Sequence, residues 1–352
     1  MFLSYRSLLA LALLLGGLVF GFGWYLSTPP SAGVLALGRT EALGYLLRSL
    51  DADNHFTPRY GLDGTPLPVT REDLFAAELE AAIALAEASR GDALLSGNHR
   101  ANLGIILADW YTETASEGFL SNGTPTMAQN GQALRLLSAS PLFEEERTKA
   151  EKLALPIASW ARRELTTYWK AASSTPAESL GYGILGIASL YLRTGAPEHK
   201  ETLELLAARY RLLLDDSPAR LLVRATLHEA LRSDEDRRSL LLSARSYLPL
   251  QDKNFFSASY GLFKNAESAY HPLAEQAMIA EGLARAAALA TESGEEDVRS
   301  LKMAALRAAG ALLRMQMDEP ETLTGGLLQT LGGATVDTYA TARLIEALEP
   351  FK

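Results

Sequence analysis

The sequence predicts an all-α fold: an (α/α)6 toroid of about six helical hairpins, preceded by an N-terminal transmembrane helix. Three observations carry this expectation. Past residue 30, helix-periodic segments follow one another, about twelve of them, with almost no plausible strand between. The breaks fall at Gly and Pro sites, among them Gly61, Gly91, Gly123, Pro141, Pro176, Gly195, Pro218, Gly261, Gly294 and Gly325-Gly326. The connections are uneven, being long at 51–70, 116–125, 251–269 and 318–334. An open solenoid of helix pairs is the other architecture, but it should show a fixed period of roughly 34 to 47 residues. No such self-similarity is visible. Long loops gathered on one face are how a closed ring builds a site, so the toroid is favoured.

The chain opens on its clearest local signal. Arg6 precedes Ser7–Leu26, twenty residues without a charge, which is about what spans a bilayer. Trp24 and Tyr25 sit where an aromatic belt is expected, and Pro29-Pro30 then ends the helix. Ser31-Ala32-Gly33 is a poor signal-peptidase site. Residues 1–26 therefore read as an uncleaved signal anchor, 27–38 as a linker, and 39–352 as one toroid domain. With Arg6 inside, the body is expected on the extracytoplasmic, periplasmic side of the inner membrane.

The coarse helical reading beyond the linker is 39–50, 71–90, 97–115, 126–139, 143–170, 176–194, 197–214, 218–232, 234–248, 271–292, 295–317 and 336–349. Several segments carry their own signals. In 71–90, Phe75, Leu79, Ala82, Ile83 and Ala86 recur at helical spacing. Thr70 with Asp73 forms a capping pattern, and Gly91 suits the left-handed residue that ends a helix. Thr175-Pro176-Ala177-Glu178 supplies a cap, a Pro at the first helical position and an acid after it. Ser217-Pro218 and His271-Pro272 start helices in the same way, while Pro320 and Pro350 close two others. The small residues Ala277, Ala280, Ala284, Ala287 and Ala288 suit a helix packed on both sides. Charged helices such as 143–170 suit an outer layer.

Composition excludes several functions. A formal charge of −9 and a pI near 5.2 argue against a nucleic-acid partner, which needs clustered Lys and Arg. There is no Cys, so disulfides, thiolate nucleophiles and iron–sulfur clusters are ruled out. The five His stand at 55, 99, 199, 228 and 271, and no two share a helix face at ligand spacing. No metal and no cofactor is expected.

Four phrases resemble the α/α-toroid superfamily of six-hairpin glycosidases, uronate epimerases and lanthionine cyclases, in a bacterial extracytoplasmic branch. They are Phe56–Tyr60 followed by a polar loop and the Ile83-Ala84-Leu85-Ala86 run; residues 178–210, with Leu190-Tyr191 and then Thr194-Gly195; residues 275–297; and the Gly-Gly stretch at 325–326 running through Asp337 into the last helix. The resemblance implies a ring with its site in the central cleft. It also exposes departures. Thr335 stands where the branch tends to have Arg before that Asp, and Thr341 where it has His. Ala77 or Glu78 stands near the place of an Arg in the first inner helix.

Sugar-processing toroids need two carboxylates roughly 5 to 9 Å apart. Acids near predicted inner-helix starts are Asp73, Glu178, Glu275 and Asp337. Asp73 and Glu178 each have a capping role that explains them. Asp337 and Glu275 are the proposed acid–base groups, although the first could cap the last helix and the second complement a helix dipole. Tyr60, Tyr270, His271, Tyr339 and Glu178 are the expected substrate-binding residues, since sugar sites use aromatic faces with a polar handle. Two readings follow. One is a membrane-anchored protein acting on or binding a cell-envelope saccharide. The other is a non-catalytic toroid scaffold or accessory subunit docked on a membrane-protein partner.

Overall fold

In the computed structural model, residues 13–17, 21, 28–90, 92–163, 176–213, 217–254 and 256–351 are described. Between residues 28 and 351 they form twelve α-helices: α1 Ala32–Arg48, α2 Arg71–Ala88, α3 Ala93–Trp110, α4 Met127–Ala139, α5 Phe143–Arg162, α6 Pro176–Thr194, α7 Pro197–Tyr210, α8 Ala219–Leu231, α9 Asp234–Tyr247, α10 Leu273–Ser293, α11 Val298–Leu313 and α12 Thr338–Leu348. Local chemistry sets the ends. Thr70 accepts from the Asp73 amide, Thr126 and Gln129 form a reciprocal capping box, and Gly294 ends α10 at φ 70°. Helix α1 begins seven residues inside the expected linker, because Ser31, directly after Pro29-Pro30, caps it through the Val34 amide. Helix α3 likewise starts early, where Asp92 accepts from Leu94 and Leu95.

The even-numbered helices form a closed inner ring. Helices α2, α4, α6, α8, α10 and α12 each pack against the next, and α12 returns against α2. Each inner helix is backed by an outer partner: α3, α5, α7, α9 and α11 follow in sequence, while α1 backs α12. The N-terminal helix thus completes the last hairpin, which closes the circle and excludes an open solenoid. Inner helices are buried all round, as expected of the inner of two layers. In α2 every residue from Ala77 to Ala86 is buried, and in α10 nearly every residue from Leu273 to Leu283 is. Helices α4 and α6 approach very closely. A Cβ on Gly131 would lie 2.1 Å from the Tyr182 carbonyl oxygen, and one on Gly186 would lie 2.4 Å from the Gly131 carbonyl oxygen. These two glycines let the backbones touch.

The near-absence of strands expected from the sequence is corrected at five short places: β1 Arg59–Gly61, β2 Tyr111–Glu113, β3 Gly118–Leu120, β4 Leu327–Leu328 and β5 Thr335–Asp337. Strands β1, β5 and β4 form an antiparallel sheet in that order, and β2 pairs with β3. At two or three residues each, they lie below the length at which periodicity marks a strand. The three-stranded sheet joins loops 51–70 and 318–334 at the start of α12, while β2 and β3 form a short hairpin directly after α3.

No helix among the described residues is long and apolar enough to cross a membrane. Of Ser7–Leu26, only residues 13–17 and Gly21 are described, so the expected anchor falls largely outside the described residues.

Candidate functional site

All six inner helices start at one end of the ring. There the long loops 51–70, 251–269 and 318–334 surround a cleft of about 610 Å³, the size of a small-ligand site. The fourth long loop, 116–125, does not reach its wall.

Loop chemistry fixes the rim. The β1–β5 pairing sets Arg59 directly opposite Asp337. Arg59 Nε donates to Asp337 Oδ2 at 3.1 Å, and its Nη1 donates to Asp73 Oδ2 at 3.3 Å. One guanidinium thereby joins the first and last inner helices across the ring's closure. Asp337 also caps α12, its Oδ1 accepting from the Ala340 amide at 2.9 Å. The sequence posed capping and cleft-lining as alternatives for this residue, and the geometry combines them. Thr338 secures the same corner, its amide donating to Pro58 O and its hydroxyl to Thr57 O.

On the adjoining stretch of wall, where α10 packs beside α12, His271 Nδ1 lies 2.7 Å from Glu275 Oε2, one helical turn along the start of α10. The Glu275 side chain keeps 39% of its surface exposed, so this carboxyl–imidazole pair faces open space. Glu178 at the start of α6 and Asn265 and Gln329 on the loops complete the polar lining. Tyr182 and Tyr339 lie deeper and hydrogen-bond each other. Burial raises both phenol values, so both hydroxyls keep their protons at neutral pH. Beneath them a buried ion network crosses the lumen. Arg343 Nη1 donates to Glu80 Oε2 at 3.1 Å and to Glu346 Oε2 at 2.5 Å, while Arg135 meets Glu346 at 3.0 Å. This network separates the cleft from a smaller cavity of about 360 Å³ at the far end of the ring, lined in part by Glu87, Arg135 and Arg285.

Of the expected site residues, Asp337, Glu275, His271, Tyr339 and Glu178 share the cleft wall. Tyr60 and Tyr270 are placed away from it. Tyr60 packs edge-on against Tyr45 with ring centroids 6.1 Å apart. Tyr270 donates its hydroxyl to Asp252, under the Lys264 ammonium. Arg59 and Tyr182 line the cleft without having been expected there. Among the described residues no cluster of potential ligands could hold a metal ion.

The fold is that of the α/α toroids. No family model matches the sequence, and no curated protein matches it. Solved structures do. An alpha-1,6-mannanase from Salegentibacter sp. superposes with a TM-score of 0.64 at 12% identity, over 92% of this chain and 100% of that one. Cellobiose 2-epimerase from Bacillus thermoamylovorans gives 0.68 at 12% identity, over 90% and 98%. The unsaturated glucuronyl hydrolase from Bacillus sp. GL1 gives 0.61 at 17% identity, over 89% and 96%. Likeness at such identities defines the architecture alone.

The positions where the sequence departs from the branch have structural occupants. Thr341 is fully buried, accepts from the Leu327 amide and donates to Asp337 O. Thr335 donates to Gln329 Oε1. Glu78 points away from the cleft and accepts from Trp110 Nε1 at 2.8 Å.

Proposed function

We propose that this protein binds and processes a saccharide in the cleft at the N-terminal ends of the inner helices. The observation that carries the reading is the convergence of Glu275–His271 and Arg59–Asp337–Asp73 on one cavity of ligand size. The toroids it resembles in fold include a mannanase, a glucuronyl hydrolase and an epimerase. Glu275 with His271 is the pair suited to carrying a proton to or from a sugar oxygen, since one partner can relay what the other releases. Asp337, receiving hydrogen bonds at both oxygens, is suited to stabilising positive charge developing on the ring. The tyrosine hydroxyls offer donors at the cleft floor.

A second reading is favoured by one observation. Both Asp337 oxygens are engaged, and threonines with structural duties hold the places of the branch's Arg and His. In that reading the cleft binds saccharide without turnover, or the toroid serves as an accessory subunit of a membrane complex. The deciding experiment offers gluco-, manno- and unsaturated glucuronyl oligosaccharides to the purified protein and follows products by chromatography and binding by calorimetry. Turnover lost in Glu275→Gln supports the enzyme. Binding without products supports the second reading, and neither binding nor turnover refutes both.

We also propose that Ser7–Leu26 anchors the chain in the inner membrane with the toroid on the periplasmic side. The support is twenty uncharged residues after Arg6 and the poor cleavage site at Ser31-Ala32-Gly33. Full-length protein should pellet with membranes, resist high salt and dissolve in detergent. A soluble form beginning near Gly33 would refute it.

A further inference from the structure

We propose that the cleft continues outward past Pro58 into a second groove, which holds further units of a saccharide chain whose first units lie in the cleft. The inference rests on the saccharide reading above and adds that the ligand is a chain rather than a free mono- or disaccharide. Pro58 lines both spaces. The groove, of about 740 Å³, lies at the same end of the ring, between residues 51–58, residues 67–74 and the end of α3. The two spaces flank a single ridge of backbone, Thr57–Pro58, which is pinned from below by Thr338. Nothing in the cleft's chemistry uses the outer groove.

The lining suits a pyranose, whose faces are apolar and whose edges are hydroxyls. Leu67, Val69 and Leu74 supply apolar surface, with Trp110 packed behind. Arg71 also lines the groove, its guanidinium held 4.8 Å from the Trp110 ring centre by cation–π attraction. His55 stands between two carboxylates, its Nδ1 on Glu78 and its Nε2 3.3 Å from Asp109. Asp109 keeps 49% of its side-chain surface exposed, so it can accept from a sugar hydroxyl as well. Burial alone would lower the His55 value, but the Glu78 hydrogen bond and the charges of Glu78, Asp109 and Asp51 outweigh it and raise it. With the Arg71 guanidinium and the His55 imidazole set among Asp51 and Asp109, the groove is not lined by charges of a single sign. That balance suits hydroxyls better than phosphates or an extended polyanion.

The test uses the full-length protein and two series of oligosaccharides, α-1,6-linked manno- and β-1,4-linked gluco-, each from disaccharide to hexasaccharide. Affinity is read by calorimetry on wild type, Arg71→Ala and the groove-filling Val69→Trp, after checking that each variant melts like wild type. In at least one series, affinity should rise about tenfold from di- to tetrasaccharide, the equivalent of one or two added hydrogen bonds. That gain should vanish in both variants while disaccharide binding is kept. Affinity independent of length, or a length gain that survives in both variants, overturns the groove but leaves the cleft reading intact. No binding at any length in either series overturns both.

Discussion

Arg59 and Asp337 face each other in register across β1 and β5, 278 residues apart in sequence, and their side chains hydrogen-bond at 3.1 Å. The same guanidinium reaches Asp73 on α2. The contact therefore sits where the ring closes, between the first and last inner helices, and also on the wall of the cleft. Folding and site are coupled through one side chain. The cleft cannot acquire its carboxylate geometry until β5 and α12 have docked on β1 and α2.

That coupling makes Arg59→Gln informative. Asp337 is nearly buried, with 8% of its side chain exposed, and would lose its charged partner while keeping its capping duty. Loss of a partly buried charge-assisted pair should cost about 2 kcal/mol at neutral pH. Urea denaturation gives the number. A change below about 0.5 kcal/mol would show that the bridge is solvated and contributes nothing to closure.

Asp337→Asn separates the two duties of that residue. Asn caps a helix about as well as Asp, so the α12 start should survive and stability should fall by about 1 kcal/mol or less. Saccharide turnover should be lost, because the amide cannot stabilise a developing cation. Undiminished activity in this variant would remove Asp337 from the mechanism and leave it a cap.

Much of the architecture is legible in the sequence, and the reason is local. Ala- and Gly-rich faces mark the inner helices, and caps such as Thr70 with Asp73 need only neighbours to be read. The Ser31 cap was equally local but was masked by the double proline before it, which reads as a linker. The site is legible only in part. Acids in first turns can be found because helix starts can be found, so Glu178, Glu275 and Asp337 were named. Arg59 could not be: its meaning comes from a strand pairing three residues long between distant loops. Tyr182 was hidden inside an apolar helix, where it looks like core. Tyr60 and Tyr270 were expected in the cleft because they lie on long loops. Sequence gives a loop aromatic no direction, and one turned to Tyr45 and the other to Asp252.

The contact between α4 and α6 predicts opposite outcomes for glycines of similar appearance. Gly131→Ala would drive a methyl into the Tyr182 carbonyl, and separating two packed inner helices should cost about 3 kcal/mol. Gly104→Ala on the exposed side of α3 meets nothing within 4 Å. It should stabilise by roughly 0.5 to 1 kcal/mol through helix propensity. Thermal melts of the two variants should move in opposite directions, and a tolerated Gly131→Ala would contradict the close approach.

The far end of the ring sets up two opposed titrations. Burial, with Glu346 and Glu281 nearby, pushes Glu87 up to about 7, against the pull of Arg135 and Arg285. Its folded value thus exceeds its unfolded value of about 4.3, so the folded state binds the extra proton between those two pH values. Stability from this group is lost as pH rises through the window, and the cost is complete above pH 7 or so. His99 acts in the reverse sense. It is fully buried in α3 against Ser140, and burial pushes it down to about 4. The unfolded chain takes up that proton first, near pH 6.5, so stability falls as pH drops from there toward 4. In wild type the two slopes offset over most of the range, and single variants expose them. Glu87→Gln should raise stability by about 2 kcal/mol at pH 8 and change little at pH 4.5. His99→Gln should flatten the acid side of the profile, whatever its cost at pH 8. Denaturant midpoints for wild type and both variants at pH 4.5, 6 and 8 provide the check. A Glu87→Gln effect equal at pH 4.5 and 8 would show that this carboxyl titrates as it does in water.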